Sequence, residues 1–126
     1  MSKGYLSNKE RLNEISNFGK AIGKRAGFKC EWCDSKDDLR MWDYQPEKAP
    51  EMETLALLCQ KCRDWAEGRK PEPNELHAIR NALWSDIPAV AEGAARVMAR
   101  CRDASWVREA IEESFIDESV KAEILK

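Results

Sequence analysis

Cys30-Glu31-Trp32-Cys33 and Cys59-Gln60-Lys61-Cys62, separated by 25 residues, are the two stretches that decide how this chain is read. Each is a Cys-x-x-Cys turn, and two such turns brought face to face offer four thiolates in a tetrahedron. Zinc takes that set with Zn–S bonds of about 2.3 Å. Disulfides, a redox dithiol and plain buried cysteines are the other readings of these residues. A lone pair suits redox chemistry, whereas two pairs at this separation form the four-thiolate zinc signature. The expected cofactor is one structural Zn2+ held by Cys30, Cys33, Cys59 and Cys62. With four protein ligands such a metal keeps no open position, so it builds the fold and does not activate a substrate. The fifth cysteine, Cys101, lies in an apolar helical run and reads as core.

Working outward, the residues between the pairs change to a period of two. Leu39 and Met41 fall on one face of a strand, and Arg40, Trp42 and Tyr44 on the other. Pro46 and Pro50 bound a polar loop, after which Leu55-Ala56-Leu57-Leu58 runs as a short apolar strand into Cys59. A helix is expected to start near Gln60 or Lys61 and to stop at Gly68, a natural C-cap. Upstream, Ser7-Asn8-Lys9-Glu10 has the form of a capping box. Leu12, Ile15, Phe18 and Ile22 then recur at helical spacing, and Gly19, Gly23 and Gly27 loosen the end of that helix. Downstream, Arg69-Lys70-Pro71-Glu72-Pro73 is a linker. Asn74, Ser85 with Pro88, Ser105 and Asp117 then mark the starts of successive helices.

The expected fold class is α+β, mostly α: a small zinc-centred ββα unit followed by a bundle of three to four helices. Residues 1–24 form an N-terminal helix, 25–70 the four-cysteine module, and 74–126 a helical segment packed on it. At 126 residues the chain can bury a limited core. No apolar run approaches the roughly 18 residues of a membrane span, and the N-terminus opens no signal-peptide core. Paired thiols without such a signal point to the cytoplasm. The net charge of -2 gives no general pull toward nucleic acid. It is unevenly spread, however. Residues 1–30 hold seven cations against two anions, a net of +5, and residues 107–126 three against six, a net of −3. The basic stretch is read as a solvated helix face, a phosphate contact, or a surface steered toward the acidic tail of a second copy.

The stretches Lys29–Cys33, Leu58–Cys62 and Ala82-Leu83-Trp84-Ser85-Asp86-Ile87-Pro88-Ala89-Val90 resemble the PhnA-like zinc-binding proteins, a group named after alkylphosphonate operons. The likeness covers about Arg25 to Cys101, and the Trp84–Val90 string is its specific part. It implies a zinc module with a helical partner segment and no established reaction. The scaffold is also similar, less closely, to HNH nucleases with zinc-supported ββα cores. Those carry histidines on the strand and on the following helix, as general base and metal ligands. Here the strand reads Met41-Trp42-Asp43-Tyr44-Gln45 and the helix Cys62-Arg63-Asp64-Trp65, without histidine.

No catalytic set emerges. His77, the only imidazole, reads as a surface residue beside Leu76. Asp43, Asp64 and Glu67 read as ordinary surface carboxylates. Five tryptophans stand out in so short a chain. Trp42 and Trp65 are expected to dock the helices, and Trp32 to stay exposed. The candidate partner surface joins Lys24, Arg25 and Lys29 to Trp32, Arg40, Trp42 and Tyr44, because it combines positive charge with aromatic planes. The function read from all this is a non-catalytic, zinc-structured binding or adaptor module. Its expected partner is a protein, with nucleic acid possible. The alternatives are a degenerate HNH-like nuclease and an accessory role linked to phosphonate metabolism.

Overall fold

A computed structural model of the chain describes residues 8–126, and Ser7 of the capping box lies outside them. Two helices come first, α1 (Asn8–Asn17) and α2 (Gly19–Ala26), where the sequence suggested one. The break falls at Asn17-Phe18-Gly19, where asparagine and glycine are poor helix formers and Phe18 N–H bonds back to Ile15 O at 3.0 Å. The apolar stripe is correspondingly uneven, with Ile22 fully buried and Leu12 exposed. α2 ends as the glycines foretold. Gly27 takes φ 65°, and Phe28 N–H reaches Gly23 O at 2.8 Å, closing a Schellman turn.

The hairpin β1 (Arg40–Asp43) and β2 (Leu55–Leu58) is antiparallel, with Arg40 opposite Leu58 and Asp43 opposite Leu55. α3 (Gln60–Ala66) follows directly from the second cysteine turn, as its sequence signals required. The stretch Pro73–Trp84 is a twelve-residue run of 3₁₀ turns and not an α-helix. Its buried residues Leu76, Ile79 and Ala82 recur every three positions and so line one ridge of a helix with three residues per turn. Its cap is the reciprocal pair Glu72 and Glu75, in place of Asn74.

α4 (Pro88–Met98) opens with Pro88 in its first turn. α5 (Ser105–Glu113) and α6 (Glu118–Ile124) complete the chain, the latter capped by Asp117, whose carboxylate accepts from Ser119 N–H at 2.9 Å. The molecule is α+β and mostly helical, as the sequence indicated. α4 is its central helix, packed on the 3₁₀ segment, on β2 and α3, and on α6. Small residues on α4 (Ala89, Ala91, Gly93, Ala94, Ala95) let those elements approach closely. One continuous core joins the cysteine turns to the C-terminal helices. No helix among the described residues is long and apolar enough to cross a membrane.

Candidate metal centre

Each cysteine pair is shaped by its own local geometry. In the first turn, Asp34 N–H donates to Cys30 O at 2.9 Å and Cys30 N–H to Ser35 O at 2.7 Å. Asp34 takes φ 67°, a left-handed position that aspartate tolerates better than most residues. In the second turn Cys59 caps α3 in extended conformation, which leaves Cys62 in the first helical turn.

Two arginines hold the turns together. Arg25 donates through Nε and Nη2 to both carboxylate oxygens of Glu31, at 2.9 and 2.8 Å, and also to Met52 O and Leu55 O at 2.6 and 2.7 Å. Glu31 in turn pairs with β2: its N–H donates to Leu57 O at 2.8 Å, and Leu57 N–H donates to its Oε1 at 2.9 Å. At the other end Arg63 donates to Leu58 O at 2.7 Å, to Asp38 O, and to the Asp38 carboxylate at 2.7 Å. Loop, strand and helix are thereby fixed to one another around the cysteines.

The result is a cluster in which the Sγ atoms of Cys30, Cys33, Cys59 and Cys62 all lie within 4.8 Å of one another. Cys33 and Cys59 are 3.6 Å apart, close to the roughly 3.8 Å edge of a tetrahedron with 2.3 Å metal–sulfur bonds. Cys30 and Cys62 are fully buried, Cys59 is 3% exposed, and only Cys33 is half-buried. All five cysteines are free thiols. The four can hold one metal ion, and the donor set is what a soft or borderline cation takes. Titration within the cluster favours such a charge. Hydrogen bonds from Cys33 and Cys62 draw the Cys30 thiol far down, while bonding to Cys30 pushes Cys33 and Cys62 up, so the thiols resist shared ionisation. A cation removes that conflict.

The residues outside the cluster sort differently from the sequence expectation. Trp32 is not exposed: it is 3% accessible, its ring centroid 5.2 Å from that of Trp42 in edge-to-face contact. Both rings press on Gly93 of α4, where an added Cβ would lie 2.8 Å from Trp42 and 2.9 Å from Trp32. Tyr44 donates to Glu92 at 3.0 Å and accepts from Arg96 Nε at 2.8 Å. Trp42 and Tyr44 are therefore half-buried against α4, and Arg25 is spent on Glu31 and backbone carbonyls. Of the seven candidate partner residues, Lys24, Lys29 and Arg40 are exposed, Arg25, Trp42 and Tyr44 are half-buried, and Trp32 is buried. Trp65 is buried, as expected of a docking residue, and its carbonyl accepts from Arg100.

His77 is exposed and stacks on Trp106, ring centroids 3.9 Å apart. Cys101 is buried apart from the cluster, its Sγ donating to Pro71 O at 3.3 Å. The Asp43 carboxylate on β1 is paired with Arg11 at 2.6 Å, and Arg63 on α3 with Asp38. The arginine clasps join residues far apart in the chain, and in the sequence only the run of cations before Cys30 hints at them. No family model, curated protein or solved structure matches this chain.

Proposed function

We propose that this chain is a zinc-structured, non-catalytic binding module that presents its surface to a protein partner. The observation that carries the reading is the gathering of four cysteine sulfurs within 4.8 Å of one another at a site that three elements converge on. Four thiolates suit zinc, and a structural ion held by all four has no position left for a reacting water. Two features support a non-catalytic role. On the strand and helix that resemble those of a ββα nuclease, there is no histidine, and Asp43 and Arg63 are held in the ion pairs Arg11–Asp43 and Arg63–Asp38. His77 is stacked on Trp106, away from the cysteines in the chain. Kinship with the PhnA-like zinc-binding proteins belongs to the same reading, supported by the cysteine turns and by the Trp84–Val90 string. That string forms the joint where the 3₁₀ segment turns into α4, with Ile87 N–H donating to Ser85 Oγ at 3.0 Å. Affinity capture from native lysate tests the proposal. The zinc-loaded chain should retain a protein after nuclease treatment, lose it on chelation, and release nothing from DNA, RNA or alkylphosphonates. Turnover of any of these substrates, or capture indifferent to chelation, would contradict it.

A further inference from the structure

Two large aromatic side chains stand out of the surface: Phe28 is 60% exposed and Phe115 is 83% exposed. Their surroundings carry opposite charge. Phe28 leaves the end of α2 with φ 57°, a left-handed conformation that a bulky side chain rarely adopts. Its ring lies against Gly23, where an added Cβ would be 3.0 Å away. Lys24 and Lys29 flank it, and Lys20 sits one helical turn before Lys24. None of the three enters an ion pair among the described residues. Two like charges one turn apart repel each other, so this face is improved by an anionic neighbour.

Phe115, in contrast, borders a hollow of about 210 Å³ between the start of α4 and the turn joining α5 to α6. Pro88, Ala91 and Ile116 give it apolar walls, and Asp86 and Asp117 are exposed at its margin. Neither aspartate enters an ion pair among the described residues. A cavity of about 150 Å³ holds a benzene ring, so the hollow has room for a phenylalanine side chain.

We propose that the chain associates head to tail with a second copy of itself. Phe28 of one copy enters the hollow beside Phe115 of the next, with Lys24 and Lys29 facing Asp86 and Asp117. The occupant is a second copy because one sequence carries both halves, an aromatic knob among unpaired lysines and an apolar hollow among unpaired aspartates. A heterologous contact of this kind repeats, giving rings or open chains.

Sedimentation velocity of the metal-loaded chain, at low and high salt, tests it with two variants. Phe28→Ser/Lys24→Ser removes the knob, and Asp86→Ser/Phe115→Ser removes the hollow. All four positions are exposed. The parent should self-associate with rising concentration at low salt and dissociate at high salt. Each variant alone should be monomeric, and an equimolar mixture of the two should form a 1:1 pair and nothing larger. If either double variant loses its near-ultraviolet tryptophan signal, the neutral single changes Lys24→Ser and Asp86→Ser repeat the experiment. A parent that stays monomeric at low salt, a variant that still associates, or a mixture that fails to pair would each overturn the proposal.

Discussion

Trp32 lies between two cysteines of a tight turn, where side chains commonly point outward, and yet it is 3% exposed. The reason lies far along the chain, in α4. α4 offers Gly93 at the point of closest approach, and the missing Cβ makes room for Trp32 and Trp42 together. Trp32→Ala should therefore behave as a core truncation, costing about 3–5 kcal/mol. A surface tryptophan would fall within roughly 0.5 kcal/mol of the parent, and urea unfolding separates the two. Gly93→Ala tests the same contact from the opposite side. A methyl group 2.8 Å from Trp42 overpacks the joint, which should cost about 1–3 kcal/mol. Arg25 is the other residue whose role is internal. Its guanidinium ties Glu31 to two backbone carbonyls, and the Glu31 side chain is only 6% exposed. Arg25→Ala should cost on the order of 3 kcal/mol because it strands a largely buried carboxylate. Arg25→Lys should rescue little, since an ammonium cannot span both oxygens and both carbonyls.

Among the elements, those defined by local chemistry were readable and those defined by contact were not. The spacing of Leu39 to Tyr44 and of Leu55 to Leu58 announced the hairpin. Gly27, Pro88 and Asp117 announced a helix end and two helix starts. Each of those signals acts within a few residues of itself. In the 3₁₀ run Leu76, Ile79 and Leu83 fit an α-helical stripe, and only burial of Ala82 reveals the period of three. The cysteine set was visible from spacing alone, whereas the burial of Trp32, Trp42 and Tyr44 depends on α4, more than 40 residues downstream in the chain for each of them.

The cysteine turns also set a pH dependence. Bonding to Cys30 holds the Cys33 and Cys62 thiols protonated above the usual thiol range, so metal capture near neutral pH must displace their protons. Protons compete for the same sulfurs, so affinity should fall as pH falls. Calorimetry of zinc binding in buffers of different ionisation heat should show release of protons. Heats that do not vary with the buffer would contradict it.

Across the whole molecule, the hairpin module and the helices share one core, with α4 as its axis and the cysteine cluster at one end. The module alone offers a two-stranded hairpin and a short helix, too little to be stable without a staple. A structural zinc contributes apparent binding energy on the order of 10–16 kcal/mol in small zinc peptides. Its loss should therefore release the cysteine turns and, through Trp32 and Trp42, loosen their seat on α4. The most direct measurement is native mass spectrometry of the chain before and after chelation, read alongside its near-ultraviolet tryptophan signal. One zinc ion per chain is the predicted result, with the tryptophan signal collapsing as the ion is withdrawn. A chain that carries no metal and keeps its tryptophan signal intact would contradict the account at its centre.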